Sequence, residues 1–191
     1  MCSIMCYCNV SGGTGKVIEG LKATVSSNPV DKNIFRVPDG IIGFQRTLTT
    51  GYNPEDMQPF ELDGDFSVCS GKIYGFRKLR EQLIDMGYIF RSDNDCEILL
   101  PLYREYDTDM FAMLDAEFAC VIYDSVIRQF VAARDPKGIR PLYYGTSDDG
   151  TIVFASEPKS LVKICPKIAP FPPGHYYKGG KIISYCDTNI E

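Results

Sequence analysis

The stretch "MLDAEFACVIYDSVIRQFVAARDPKGIRPLYYG", residues 113–145, decides the fold. Two of its runs, "AEFACVIYD" (116–124) and "QFVAARD" (129–135), are apolar and rich in strand-forming residues. The connection "DSVIRQ" (124–129) between them reads as a hairpin. Two further β-rich runs follow, "PLYYGTSDDG" (141–150) and "TIVFASE" (151–157), joined at the turn signal "SDDG". "SEPKSLVKI" (156–164) reads as a short helix with Pro158 in its first turn. "GHYYKGGKIISY" (174–185) reads as a hairpin folded over Gly179 and Gly180. Strands in unbroken succession predict antiparallel pairing.

The other half supplies helices. "FRKLREQLIDMGY" (76–88) carries an apolar stripe of Phe76, Leu79, Leu83 and Met86 and stops at Gly87. "DNDCEILLPLYREY" (93–106) reads as a second helix with a carboxylate near its start and Glu97 in its first turn. Pro101 should kink or shorten it. Before these, "FSVCSGKIYG" (66–75) reads as two short strands hinged at Gly71, and residues 51–65 as a polar excursion. "GIIGFQRTLTT" (40–50) reads as a strand. Residues 28–39 read as a loop punctuated by Pro29 and Pro38, and residues 16–27 as a weak helix through Val17, Leu21 and Val25. "MCSIMCYCNV" (1–10) reads as a buried strand, with Cys2, Ile4, Cys6 and Cys8 on one face and Ser3, Met5 and Tyr7 on the other. Blocks of strands and blocks of helices predict an α+β class, as one domain over residues 1–191.

Bulk properties narrow the function classes. The chain has 191 residues, 45% hydrophobic and 24% charged, with net charge −5. An acidic chain without a basic stripe argues against a nucleic-acid partner. No apolar run of about eighteen residues exists to span a membrane, and the N-terminus lacks a secretory pattern. The expected compartment is the cytoplasm. Cys2, Cys6 and Cys8 cluster, the other five cysteines are scattered, no CxxC pair occurs, and His175 is the single histidine. That spacing argues against a zinc site and for free thiols in a reducing compartment.

Three motifs invite chemistry. "SGGTGK" (11–16) fails as a phosphate loop, because Val10 and Val17 stand where the pattern needs glycine and Ser or Thr. It reads as a turn. His175, in "FPPGHYY", has nothing tying it to a cysteine as a base. Cys2 needs no histidine if Met1 is removed: its own α-amine, with a reference pKa of about 7.7–8.0, serves as general base. The alternative is that Cys2 is a small apolar residue opening a strand. An amino-acid substrate would want a cation for its carboxylate and an anion for its ammonium. Arg46 and Asp95 are candidates, against the plainer readings of a strand arginine and a helix-cap aspartate.

The stretches "SGKIYGFRKLREQLIDMGYIFRSDNDCEILLPLYREY", the opening 33-residue run and "FASEPKSLVKI" together resemble the glutaminase domain of glutamine-dependent asparagine synthetases, a class II glutamine amidotransferase. The resemblance runs from Cys2 to about Tyr185. "RDPKGIRPL" is also similar to phosphoribosylpyrophosphate amidotransferases. The resemblance implies a four-layer αββα sandwich of the N-terminal-nucleophile hydrolase type. It implies that Cys2 forms a γ-glutamyl thioester with glutamine and releases ammonia. Arg46 would hold the substrate α-carboxylate, followed by Thr47, Leu48, Thr49 and Thr50 along the same segment. Asp95 would hold the α-amine, with Ser70, Gly71 and Lys72 beside it. The Gly71 N–H would point into the oxyanion hole. No cofactor is implied for this domain. ATP and Mg belong to a separate synthetase domain, absent from this chain and supplied in cis or in trans. A homodimer is left open.

The departures from the family pattern bear on activity. Ser3 replaces a glycine. Arg36-Val37-Pro38-Asp39 replaces Arg-Gly-Pro-Asp. Ser70-Gly71-Lys72-Ile73-Tyr74-Gly75 replaces Asn-Gly-Glu-Ile-Tyr-Asn. Ser70 thus stands for an asparagine whose amide is the second oxyanion donor, and loss of one such donor costs about 10²–10³ in rate. Lys72 reverses a charge. The expected activity is therefore glutamine hydrolysis supplying ammonia for asparagine synthesis, impaired by these changes. The alternatives are a binding module of the same fold without efficient turnover, and a thiol redox or metal function of Cys2, Cys6 and Cys8.

Overall fold

A computed structural model describes residues 2–9, 13–24, 29–47 and 54–186. In chain order its elements are β1 (Cys2–Tyr7), α1 (Gly13–Ala23), β2 (Pro29–Val37), β3 (Gly40–Thr47), β4 (Phe60–Leu62) and β5 (Asp65–Ile73). Then come α2 (Phe76–Asp85), α3 (Leu99–Tyr106), α4 (Met110–Met113), β6 (Ala116–Asp124) and β7 (Gln129–Arg134). The last described elements are β8 (Tyr143–Thr146), β9 (Ile152–Ala155), β10 (Lys167–Pro170), β11 (His175–Lys178) and β12 (Lys181–Ser184).

Among the described residues the strands form two six-stranded sheets, ordered β10-β8-β9-β1-β3-β2 and β12-β11-β7-β6-β5-β4. Every pairing is antiparallel. Alternation along each strand then builds the layers. From β1, Ile4 and Cys6 meet Ala119, Val121 and Tyr123 of β6 between the sheets. The opposite face of β1, Met5 and Tyr7, packs under Val17 and Leu21 of α1. On the other sheet Cys120 and Ile122 face outward, onto Leu83 of α2 and Leu99 and Leu102 of α3. Helix, sheet, sheet, helix is the four-layer order that the resemblance implied. The two faces of the first strand are also as read: Cys2 and Cys8 join Ile4 and Cys6 on the inter-sheet side.

Several elements differ from the sequence reading, each for a physical reason. Residues 29–37 form β2, an edge strand paired along β3, not a loop. Proline is tolerated as the first residue of an edge strand, which is where Pro29 sits, and Pro38 falls in the hairpin turn. Val37 pairs with Gly40 in that hairpin and is buried without a left-handed backbone, so this turn does not need the family's glycine. β5 is one continuous strand through Gly71, not two strands hinged there. The excursion 51–65 contains a strand, β4. The helix expected over 93–106 is split: residues Asp95–Ile98 form a 3₁₀ turn and α3 starts at Leu99. Pro101 then lies in the first turn of α3, where its missing N–H has no intrahelical acceptor to lose. The first helix runs Gly13–Ala23, so "GTG" opens it rather than ending a turn, and Val25 lies outside the described residues. The helix at 156–164 shrinks to a 3₁₀ turn, Pro158–Ser160. Met86, expected on the buried stripe of α2, is 53% exposed beyond the helix end.

Candidate active site

Cys2 opens β1, in the interior of its sheet, and its Cα partner across β3 is Arg46. Register alone therefore sets the candidate carboxylate-holding cation beside the candidate nucleophile. The next strand on Arg46's far side brings Asp31 opposite it, and the Asp31 carboxylate accepts from Arg46 Nη2 at 3.3 Å. The Arg46 side chain is only 16% exposed. Thr47 ends β3; Leu48, Thr49 and Thr50 lie outside the described residues.

The second sheet delivers Ser70, Gly71 and Lys72 from β5. Ser70 is buried, and its hydroxyl donates to the Cys2 carbonyl at 3.0 Å, tying the two sheets together at the site. This hydroxyl positions the backbone of Cys2.

The edge of β5 explains Gly71. β4 covers only Asp65–Ser67. Beyond it the side-chain amide of Gln58 takes over, donating to the Cys69 carbonyl at 3.0 Å and accepting the Cys69 N–H at 2.5 Å. Farther along, Asp95 Oδ2 accepts the Ile73 N–H at 2.7 Å. Backbone N–H groups alternate sides along a strand. Cys69 and Ile73 thus direct theirs to the open edge, and so does Gly71 between them. The same alternation makes Gly71 and Phe118 a non-hydrogen-bonded pair, the close kind. A Cβ on Gly71 would lie 2.8 Å from Phe118 Cα and closer still to the Glu117 carbonyl oxygen. Only glycine lets β6 approach here, and the N–H is left facing a slot between two side-chain plugs.

Asp95 is not a helix cap. Asn94 does the capping, accepting the Cys96 N–H at 2.9 Å. The Asp95 side chain, 11% exposed, instead reaches Ile73 and lies 3.5 Å from Lys72 Nζ. Glu117, opposite Lys72 on β6, is bonded to Arg140 at 2.8 Å. Arg140 is held by its own motif, "RDPKGIRPL". Asp135 accepts the N–H groups of Ile139 and Arg140, and Arg134 donates to the carbonyls of Gly138, Arg140 and Phe171. Burial pushes the Cys2 thiol above its ordinary value, while the chain's α-ammonium, Arg46 and Arg140 pull against that rise.

The structure thus brings Cys2, Arg46, Ser70, Gly71, Lys72 and Asp95 to one place at the junction of the two sheets. Sequence reasoning missed Asp31, Gln58, Glu117 and Arg140 there. Arg140 lies in a quoted motif and could have been found; Gln58 gives no sequence signal. His175 Nδ1 instead contacts the Pro173 carbonyl at 2.7 Å. Among the described residues no cluster of three or more His, Cys, Asp or Glu has the arrangement to hold a metal, and none of the eight cysteines is in a disulfide. No helix among them is long and apolar enough to cross a membrane.

The chain matches the family model described as "Glutamine amidotransferase domain" over residues 1–177. It is 39% identical over 162 residues to a probable glutamine-hydrolyzing asparagine synthetase of Dictyostelium discoideum, covering 82% of this chain and 29% of that protein. It is 34% identical over 182 residues to glutamine-hydrolyzing asparagine synthetase 3 of Arabidopsis thaliana, covering 93% of this chain and 31% of that protein. The chain thus spans about a third of the length of these curated relatives. Among solved structures, glutamine phosphoribosylpyrophosphate amidotransferase from B. subtilis superposes with a TM-score of 0.78 at 19% identity, over 98% of this chain and 50% of that one. That likeness carries the fold.

Proposed function

The chain belongs to the glutamine amidotransferase domain family, and on that premise we propose that it hydrolyses the side-chain amide of glutamine with Cys2 and supplies the ammonia for asparagine synthesis. The observation that carries this reading is the register pair Cys2–Arg46, tied by the Ser70–Cys2 hydrogen bond to the strand that holds Gly71 and, through Ile73, Asp95. After removal of Met1, the α-amine of Cys2 takes the thiol proton and Sγ attacks the glutamine amide carbon. The Gly71 N–H receives the developing oxyanion. The C–N bond breaks, the amine returns the proton, and ammonia leaves. Water then cleaves the thioester to glutamate and the free thiol. Arg46 holds the α-carboxylate and Asp95 the α-ammonium. The acceptor of the ammonia is an ATP-using synthetase domain, in the same chain or a partner chain, in the cytoplasm. Residues 1–191 act as one domain in this scheme.

Intact-mass spectrometry before and after 6-diazo-5-oxo-L-norleucine tests it. The expected result is a chain without Met1 that gains one adduct on Cys2, with none on Cys2→Ala. An unmodified wild-type chain overturns the nucleophile. One observation favours a second reading, a binding module with weak turnover: the Ser70 hydroxyl is engaged with the Cys2 carbonyl, which leaves Gly71 as the single donor of the pair that the family resemblance implies. Thermal stabilisation by glutamine without ammonia release would select it.

A further inference from the structure

We propose that Lys72 is a specificity-determining residue that weakens the hold of this site on the α-ammonium of glutamine and so also admits γ-carboxamides lacking one. The inference rests on the substrate reading above. Lys72 stands on β5 between Gly71, whose N–H faces the slot, and Ile73, whose N–H binds Asp95. Its ammonium lies 3.5 Å from Asp95 Oδ2, the same oxygen that accepts the Ile73 N–H. The anion proposed to receive the substrate ammonium therefore already faces a cation of the protein. Lys72 has no call on its cross-strand neighbour Glu117 in this arrangement, because Glu117 pairs with Arg140.

The charges around the slot make the same point. Arg46, Lys72 and Arg140 are positive, and Asp31, Asp95 and Glu117 are negative. These six side chains sum to zero, and a carboxylate at position 72 would leave them with two excess negative charges. A zwitterion entering among them must share Asp95 with Lys72, whereas the Arg46–Asp31 pair meets the carboxylate of either ligand alike. A γ-carboxamide that has the carboxylate and lacks the ammonium, such as glutaramate, loses nothing at Asp95 and avoids the repulsion. Reversing one partly exposed charge beside a ligand charge changes affinity by roughly tenfold.

The test is calorimetric binding of glutamine and of glutaramate to Cys2→Ala protein carrying Lys72, Lys72→Gln or Lys72→Glu. Lys72→Gln guards against misfolding of the glutamate variant, which would face Asp95 and Glu117. With Lys72 in place, glutaramate is expected to bind at least as tightly as glutamine. Lys72→Glu should shift the affinity ratio toward glutamine by about tenfold, and Lys72→Gln by part of that. A ratio that both variants leave unchanged, or a tenfold preference for glutamine with Lys72 present, overturns the role of Lys72 alone. Binding of neither ligand to any variant overturns it together with the substrate reading, and ammonia release from glutamine by the wild-type chain judges that reading separately.

Discussion

Replacing Gly71 with alanine should damage the protein through a contact that can be measured on the structure. The added Cβ would lie 2.8 Å from Phe118 Cα and 2.9 Å from Phe118 Cβ. Carbon atoms pack favourably at about 3.5–4.0 Å, so β6 would have to retreat by roughly 0.6 Å or more. The atoms met belong to a paired strand rather than to the tip of a flexible side chain. The flanking pairs Ser70–Ala119 and Lys72–Glu117 would stretch with it. Overpacking of this kind costs about 1–3 kcal/mol, and each kcal/mol lowers the melting temperature of a domain this size by about 2–4 °C. The expected loss is therefore about 2–12 °C by differential scanning calorimetry. Gly15→Ala is the matched control. Its Cβ meets nothing within 4 Å, and it lies inside α1. There alanine should stabilise by about 0.5–1 kcal/mol. Equal melting temperatures for Gly71→Ala and wild type would refute the close-approach argument. Turnover should fall with Gly71→Ala as well, because the N–H moves with the strand.

Ser70→Asn should raise kcat for glutamine by up to about 10², by supplying the second amide donor; an unchanged kcat would show that the donor is not what limits turnover. Asp39 accepts from Tyr123 and from two nitrogens of Arg128, and chiefly the Arg128 hydrogen bond holds its carboxyl below the usual carboxylate range. A lowered folded-state pKa stabilises above the unfolded value of about 4 and loses that contribution as pH falls through the lower folded value. Wild type and Asp39→Asn should thus differ in melting temperature at pH 7 and converge at low pH, and a constant difference down to pH 2 would contradict this. Because burial raises the Cys2 thiol, iodoacetamide labelling of Cys2 should still accelerate above pH 9; a plateau by pH 8, followed by peptide mapping, would argue for an activated thiolate instead.

The second sheet was legible because β6 and β7 are near-continuous apolar runs buried on both faces and the turn chemistry between them is plain. β2 was not. It is an edge strand whose run Asp31-Lys32-Asn33 carries no apolar period, and Pro29 at its start and Pro38 just past its end read as loop signals until the partner strand is known. Cys2, Arg46 and Asp95 could be nominated from residue chemistry and family resemblance. Ser70, Gly71 and Lys72 came with the same resemblance. The contacts among them could not be read, because the Cys2–Arg46 pair, the Ser70 bond to Cys2 and the Lys72–Asp95 ion pair are matters of register between segments distant in sequence. Asp95 and Asn94 illustrate the limit: both suit a helix cap, and only the position of β5 decides that Asn94 caps while Asp95 binds Ile73.

Gln58 has a consequence beyond the site. A strand edge with bare N–H and C=O groups invites pairing with another chain, and folded proteins cover such edges. Here β5 must keep part of its edge open, since a paired Gly71 would have no N–H to offer. One glutamine amide covers Cys69 where a longer β4 would have run, so the gap stays about one residue wide between Gln58 and Asp95. That is too short to seat an incoming strand. The same side chain that frames the slot thereby guards the protein against self-association along β5.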